Sequence, residues 1–198
     1  GFHIRWFTPA TEVNLCGHAT LATAHVLFSH LNYNEKEIRF RSRTGVLKVK
    51  KEGDRIVLDF PTSEVNEAEL PANIEQAFGI KPQKGFTGRE DLMYVFENQK
   101  VIENLKPDFH FLKTLEMRGI IATAPSDEYD FVSRFFAPRE GIDEDPVTGS
   151  AHTMLIPYWA ERLKKKKMVA KQISKRGGIL FCKYLGERVE IGGKAVTY

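Results

Sequence analysis

Two segments of this chain repeat the same order of residues, and this repetition limits the fold more than any other feature of the sequence. The first copy reads RWFTP at Arg5–Pro9 and continues to GHAT at Gly17–Thr20. The second reads RFFAP at Arg134–Pro138 and continues to GSAHT at Gly149–Thr153. Each copy predicts an aromatic strand, a loop closed by proline and a small-residue turn that opens an apolar helix. We therefore expect two similar halves that meet at a cleft.

Each half should direct one helix start into that cleft. A helix start exposes backbone N–H groups without a partner in the helix and carries a partial positive charge. A facing pair would therefore hold an anion such as a carboxylate. The apolar helices are expected at His18–His30 and Ala151–Leu163. The first should be buried, because apolar residues cover most of its circumference, and Pro157 should bend or divide the second.

Many short strands are expected around these two helices. Strands are predicted at residues 37–41, 46–50, 55–60, 92–97, 118–124, 130–136, 178–184, 188–191 and 195–198, with short helices at 72–78 and 107–115. This pattern predicts α+β halves rather than alternating βαβ units. We expect residues 1–62 to belong to the N-terminal half, 63–71 to form a polar linker, and 72–198 to form the C-terminal half. The last strand could return to the first half.

Composition excludes several classes of function. A net charge of +3 is too small to indicate nucleic-acid binding. No apolar run reaches the roughly 18 residues of a membrane span. Cys16 and Cys182 form neither a disulfide framework nor a metal-binding spacing, which favours a reducing, cytoplasmic environment. The histidines also lack metal-ligand spacing, and no phosphate-binding glycine motif occurs, so neither a metal nor a nucleotide is expected. Because the strand-like pattern begins at Gly1, we expect the chain to start partway through a protein.

The first candidate site is LCGHAT, at Leu15–Thr20. Gly17 permits a tight turn and a close approach of a ligand to the backbone. His18 lies in the first helical turn, where the helix dipole should favour its neutral form. Cys16 is either a small buried residue or a thiol whose pKa the helix start lowers. The alternative is that Gly17 only turns the chain and His18 only caps the helix.

The second candidate site is EDPVTGSAH, at Glu144–His152. Pro146 favours an extended backbone at Asp145, which fixes the direction of this carboxylate. Thr148 or Ser150 should cap the following helix, and Gly149 should let a ligand approach the turn. An acidic loop with an ordinary helix cap is the alternative. The occurrence of two such turns in one chain favours the functional interpretation.

These motifs resemble those of the phenazine-biosynthesis isomerase (PhzF-like) family, which has a diaminopimelate-epimerase-like fold. The resemblance rests on RWFTPxxEVxLCGHATLA at positions 5–22 and on RFFAPxxGIxEDPVTGSAH at positions 134–152. Pro157-Tyr158-Trp159, Gln172, Ser174 and Arg176-Gly177-Gly178 extend it toward the C-terminus. It implies two similar halves, each a curled mixed sheet wrapped around a central apolar helix, with the active site between them.

The resemblance also implies a function. The best-understood family activity is a proton shift that moves a double bond in a dihydro-hydroxyanthranilate ring, without a cofactor and commonly in a homodimer. His18, Asp145 and Ser150 match active-site positions of the family. Gly17 and Gly149 match the glycines whose turns receive the substrate carboxylate, beside Cys16 and Thr148. We therefore expect a cofactor-independent isomerase that acts on a small carboxylate.

One family feature is absent from these residues. The principal acid/base group is a glutamate in an Asn/Ser-Glu-Thr-like motif ahead of the RWFTP strand, and no such motif occurs in the chain. We expect that glutamate to precede Gly1. Glu12 is the nearest carboxylate, but it matches a different family position and is not assigned this role.

Two other functions are considered. A two-thiol epimerase or racemase needs a cysteine at each helix start, but Thr148 stands at the position that corresponds to Cys16. A catalytically silent family member that acts as an interaction protein has little reason to keep the complete polar set of the two turns. The isomerase is therefore the favoured interpretation.

Overall fold

The computed structural model describes residues 1–8 and 11–197 as an α+β fold built on one large mixed sheet. The strands are β1 (Phe2–His3), β2 (Trp6–Phe7), β3 (Glu12–Val13), β4 (Glu37–Ser42), β5 (Gly45–Glu52), β6 (Arg55–Pro61), β7 (Asn66–Ala68), β8 (Lys84–Thr87), β9 (Asp91–Val95), β10 (Gly119–Pro125), β11 (Phe131–Phe136), β12 (Lys167–Gln172), β13 (Gly178–Tyr184) and β14 (Arg188–Gly193). The helices are α1 (Gly17–His30), α2 (Ile74–Phe78), α3 (Gln99–Asn104), α4 (Phe109–Leu112) and α5 (Gly149–Leu163), with a 3₁₀ turn at Pro138–Glu140.

Twelve strands follow one another across the large sheet in the order β1-β4-β5-β6-β14-β13-β12-β11-β10-β9-β8-β7. The pairs β1–β4, β9–β10 and β11–β12 are parallel, and the other neighbours are antiparallel. The last strand, β14, pairs with β6 on one side and with β13 on the other. It therefore connects two parts of the sheet, the part formed by β1, β4, β5 and β6 and the part formed by β7 to β13. The short pair β2–β3 stands apart from it.

Helix α5 is buried on almost all sides and supplies much of the core. It packs against β13 and β14. Trp159 is fully buried, stacks on Phe131 with ring centroids 5.6 Å apart, and donates from Nε1 to Thr123 Oγ1 at 3.0 Å. A second core lies under the short helices α2, α3 and α4, against the buried residues Tyr94, Ile120 and Phe136 among others.

Proline inside α5 does not end the helix, which continues from Gly149 to Leu163. Pro157 has no N–H and cannot bond to the carbonyl of Thr153, four residues earlier. The backbone N–H of Ser63 donates to that carbonyl instead, at 3.1 Å. Pro157 therefore does not divide the helix, because a neighbouring segment uses the carbonyl that proline leaves free. The alternative expectation, a bend at Pro157, stays a prediction.

The predicted fold class is confirmed, with differences in individual elements. The first helix is not buried on most sides, because the buried residues Gly17, Thr20, Ala24 and Leu27 form one stripe while Val26 on another side is exposed. Residues 63–71, predicted as a linker, contribute the edge strand β7. Residues 195–197 form no strand, and Tyr198 lies outside the described residues, as does Pro9 of the first repeat. The strands β8 and β12 and the helix α3 were not predicted.

No helix among the described residues is long and apolar enough to cross a membrane.

Candidate active site

The first residues of α1 and α5 touch each other. A Cβ atom added to Gly17 would lie 2.8 Å from the Cα of Gly149, and one added to Gly149 would lie 3.0 Å from the Cα of Gly17. Real Cβ atoms essentially never come as close as the first distance, and the second is tighter than nine in ten real Cβ contacts. The close contact therefore requires glycine at position 17 and favours it at position 149, and the two helix starts are brought together as the repeat predicted.

Both helix starts lack a side-chain cap. Cys16 and Thr148 occupy the N-cap positions, and neither side chain accepts a hydrogen bond from the first turn of its helix. The prediction that Thr148 or Ser150 caps α5 is therefore wrong, because Thr148 uses its hydroxyl elsewhere. Uncapped N–H groups at two adjoining helix starts are able to donate hydrogen bonds to an anion.

A cavity of about 440 Å³ opens at this junction. All seven residues predicted from the two motifs line it: Cys16, Gly17, His18, Asp145, Thr148, Gly149 and Ser150. Its other walls are mainly apolar, with Ile4, Trp6, Phe7, Val13, Leu15, Phe135 and Ile142 among them. The structure thus places the predicted residues together, while their roles remain predictions.

His18 lies between the two motifs. Its Nδ1 is 3.0 Å from the carbonyl oxygen of Val147 and 3.9 Å from Asp145 Oδ2. Because a carbonyl oxygen only accepts hydrogen bonds, Nδ1 carries the proton and donates to Val147. The other nitrogen, Nε2, is 3.6 Å from the Cys16 sulfur. Nε2 therefore accepts a proton when the ring is neutral and donates one when it is charged.

The neighbours of His18 favour its charged form. The hydrogen bond with Cys16 is the largest cause, and the charges of Cys16 and Asp145 and the Val147 carbonyl act in the same direction. Together they raise the pKa of His18 to about 9, although partial burial opposes this change. The expectation of a neutral His18 is therefore wrong, because side chains that the helix dipole argument did not include outweigh it. At neutral pH, the imidazolium adds a positive charge to the helix starts.

Asp145 is fixed by a short chain of hydrogen bonds. Its Oδ2 accepts from Thr148 Oγ1 at 2.5 Å, and Thr148 Oγ1 accepts in turn from Gln172 Nε2 at 3.0 Å. The same Nε2 donates to the Asp145 carbonyl at 2.8 Å, while Gln172 Oε1 accepts from the Thr148 N–H at 2.7 Å. Gln172 is fully buried. From strand β12, it therefore holds the loop that presents Asp145 to the cavity.

Ser150 contacts a residue that neither motif indicated. Arg118 Nη2 donates to Ser150 Oγ at 3.2 Å, and Arg118 itself lines the cavity. Glu140 and the exposed ring of Phe7 also line the cavity. The sequence analysis gave none of these three residues a place in the site. They lie outside the two turns, and no local motif marks Arg118 as a partner of Ser150.

Other candidate residues lie apart from the chemistry or are engaged elsewhere. Cys182 is buried in β13, and burial raises the pKa of its thiol. It does not line the cavity and cannot act as a second thiol opposite Cys16. Glu12 accepts two hydrogen bonds from Arg5, each 2.9 Å, and contacts Arg43 at 2.7 Å. These contacts lower the pKa of Glu12, and the hydrogen bonds from Arg5 have the largest effect. Glu12 is therefore a poor proton acceptor.

Curated relatives match almost the whole chain. An uncharacterized isomerase of Pseudomonas aeruginosa is 50% identical over 195 residues, which cover 98% of this chain and 75% of the relative. A second uncharacterized isomerase of that organism is 47% identical over 197 residues, covering 100% of this chain and 76% of the relative. An uncharacterized isomerase of Halalkalibacterium halodurans is 44% identical over 202 residues, which cover 100% of this chain and 76% of the relative.

Solved structures show the same architecture. A phenazine biosynthesis protein of the PhzF family from Enterococcus faecalis has a TM-score of 0.92 at 44% identity, covering 97% of this chain and 74% of that one. A hydroxyproline epimerase from Agrobacterium vitis has a TM-score of 0.66 at 10% identity, and the match covers 99% of this chain and 68% of that one. The likeness of fold therefore extends to an epimerase. The family described as phenazine biosynthesis-like protein matches residues 1–198. The chain therefore belongs to the phenazine biosynthesis-like protein family.

Proposed function

We propose that this protein is a cofactor-independent isomerase that moves a double bond in a small carboxylate substrate by acid/base proton transfer. One observation carries the proposal: two uncapped helix starts meet at Gly17 and Gly149 inside a cavity that His18, Asp145 and Ser150 also line. The isomerase names of the relatives support the reaction class at the level of the family.

The substrate carboxylate is placed against the N–H groups of the two helix starts. The helix dipoles and the charged His18 all stabilise a negative charge at that position. The apolar cavity walls, including Trp6 and Phe135, suit the carbon skeleton of such a substrate, which would displace water from them when it binds. Exclusion of water strengthens the electrostatic contacts within the site.

The proposed reaction is a transfer of one proton between two carbon atoms. A base removes a proton from the carbon next to the double bond, the electron pair shifts, and an acid returns a proton to the far carbon, so that no oxidant or reductant is needed. Asp145 and His18 pass protons and position the substrate, and Ser150 donates a hydrogen bond to it. The resemblance assigns the first base to a glutamate ahead of Arg5. A positioned acid/base pair accelerates such a step by about 10²- to 10⁴-fold.

The test follows the reaction in D₂O. The longest natural form of the protein is incubated with dihydro-hydroxyanthranilate, and the product is analysed by NMR and mass spectrometry. We expect isomerisation with deuterium at the carbon that receives the proton. Ser150→Ala should slow the reaction, while Ser29→Ala, at an exposed position of α1, should not.

The absence of both isomerisation and deuterium uptake would remove this substrate class. If a protein partner instead co-purified stoichiometrically and no carboxylate raised the Tm, the interaction-protein alternative would be favoured.

A further inference from the structure

Arg118 is held beside the cavity by a largely buried ion pair. Its Nε donates to Asp91 Oδ1 at 3.0 Å, and its Nη2 donates to Asp91 Oδ2 at 2.5 Å. The side chains of Arg118 and Asp91 are only 20% and 9% exposed. Two parallel hydrogen bonds to one carboxylate fix the plane of a guanidinium group. Arg118 therefore presents its remaining donors in a set direction.

The space for this pair depends on Gly119. A Cβ atom at that position would lie 2.1 Å from Phe135 Cζ and 2.8 Å from Asp91 Oδ1. Because glycine has no Cβ, the Asp91 carboxylate and the Phe135 ring both fit against the start of β10. The guanidinium carbon of Arg118 lies 5.5 Å from the centre of that ring.

The hydrogen bond from Arg118 determines what Ser150 can do. A guanidinium group only donates, so Ser150 Oγ accepts at this contact, and the hydroxyl keeps its single proton for another partner. Within residues 1–8 and 11–197 that proton has no acceptor in hydrogen-bond range. Ser150 lines the cavity, so a bound molecule is the partner that the O–H group can reach.

Arg118 is poorly suited to attract the substrate anion itself. Asp91 contacts it directly, Glu90 Oε2 lies 3.7 Å from Arg118 Nε, and the charge of Glu140 also acts on it. Three carboxylates around one guanidinium compensate its positive charge. An effect of Arg118 on the ligand should therefore pass through Ser150.

We propose that Arg118, held by Asp91, is a positioning residue that occupies one acceptor site of the Ser150 hydroxyl and directs its proton into the cavity, so that the site favours substrates with an acceptor oxygen, such as a carboxylate oxygen, at that point. This inference rests on the proposed function, because it concerns the same cavity and the same substrate carboxylate. It adds a criterion of specificity: a carboxylate, whose two oxygens both accept hydrogen bonds, is favoured over a carboxamide, which presents only one acceptor oxygen.

The test is a double-mutant cycle on ligand binding. The probes are 3-hydroxyanthranilate, whose aromatic ring cannot undergo the proton shift, and its carboxamide, and the Kd is measured by calorimetry. Ser150→Ala should weaken carboxylate binding about tenfold, the effect of losing one hydrogen bond to a charged group. Arg118→Gln should weaken it severalfold and reduce the preference for carboxylate over carboxamide. The double variant should bind no more weakly than Ser150→Ala alone.

A second variant guards against a folding defect. Arg118→Gln leaves the Asp91 carboxylate buried without its cation. The second variant therefore combines Arg118→Gln with Asp91→Asn, which removes both charges. Its ligand binding is compared with that of the unchanged protein after the two proteins have been shown to have the same Tm and near-UV circular dichroism spectrum. The role of Arg118 would be wrong if the losses of affinity in the two single variants added in the double variant. It would also be wrong if a folded Arg118 variant kept the full preference for carboxylate. Neither result would contradict the proposed function. If the unchanged protein bound no carboxylate probe, the proposed function and this inference would both be wrong.

Discussion

His18 is the residue whose chemistry depends most on its neighbours. Its ring is joined to the first motif through Cys16 and to the second through Val147 and Asp145, so it reports whether the two turns are in contact. We expect a pKa of about 9 for His18 in the folded protein. Cys16→Ala should lower this pKa most, and Asp145→Asn should lower it less. NMR titration of the His18 ring, assigned by the loss of its signal in His18→Gln, measures each value. A pKa near 6.5 in the unchanged protein would contradict the contacts described.

The raised pKa of His18 also has a consequence for stability. Because the folded-state pKa of about 9 exceeds the ordinary value of 6.5, protonation favours the folded state. This contribution is fully present below about pH 6.5 and is lost as the pH rises through 9. The side chain is 48% exposed, so solvent weakens the effect. The Tm of the unchanged protein should therefore fall more between pH 6 and pH 9.5 than that of His18→Gln. Parallel curves would show that His18 contributes nothing.

Gly17 tests the contact between the helix starts. The added methyl group of Gly17→Ala would lie 2.8 Å from the backbone of Gly149, which has no flexible atom to move aside. We expect a loss of about 1–3 kcal/mol in the free energy of unfolding, as for other overpacked sites, and weaker carboxylate binding. Chemical denaturation and calorimetry measure the two effects. Gly192→Ala is the matched control, since its Cβ would meet ordinary contacts at 3.4 Å. Equal stability of the two variants would contradict the close contact.

At the scale of elements, β12 controls the second site loop. Gln172→Ala would leave the buried N–H of Thr148 and the carbonyl of Asp145 without the partners that Gln172 provides. An unsatisfied buried polar group costs about 1–3 kcal/mol, so the free energy of unfolding should fall by at least that amount. Carboxylate binding should also weaken because Asp145 and Thr148 lose their support. Denaturation and calorimetry check both effects.

The matched control for that change is Gln76→Ala, at an exposed position of α2, which should alter the free energy of unfolding by less than about 0.5 kcal/mol. Should Gln172→Ala behave like this control, the loop would be held by other contacts.

The two repeats become different elements in the folded chain. The aromatic strand of the second copy is β11, which lies between β10 and β12 in the large sheet. The corresponding strand of the first copy is β2, which is two residues long and pairs with β3 in a separate two-stranded sheet. The sequence therefore predicted the repeated helix starts well, but it did not predict that the strands before them have different partners. Strand pairing depends on residues far away in the chain, which a local pattern does not contain.

For the whole molecule, β14 is the strand that joins the sheet. It lies between β6 and β13, with Val189 and Ile191 buried. Removal of residues 188–198 should expose the edges of β6 and β13 and abolish the cooperative thermal transition, because both parts of the sheet lose a partner. Removal of residues 195–198 should retain the transition, since β14 remains. Circular dichroism and calorimetry distinguish the two truncations. A normal transition after the longer truncation would show that the two parts fold without β14.

The sequence by itself determined the fold class, the two helix starts and the seven residues that line the cavity from the two motifs. These features depend on local physical rules: glycine permits close turns, small and polar residues open helices, and a run of apolar residues after such a turn marks a helix that packs on the core. The repetition of one pattern then indicated that the two starts belong together.

Only the tertiary structure decided the chemistry around them. It placed Arg118 and Asp91 beside Ser150, and Gln172 beneath the Asp145 loop. It also placed Cys16 and Asp145 close to His18, and their effect reverses the expected direction of the pKa shift of His18. It also left one side of α1 exposed and carried the helix α5 through Pro157. In most of these cases the charges, hydrogen-bond partners and burying groups come from residues distant in the chain. Cys16, two residues before His18, is the exception. All of them act on a side chain only when the fold brings them within a few ångströms.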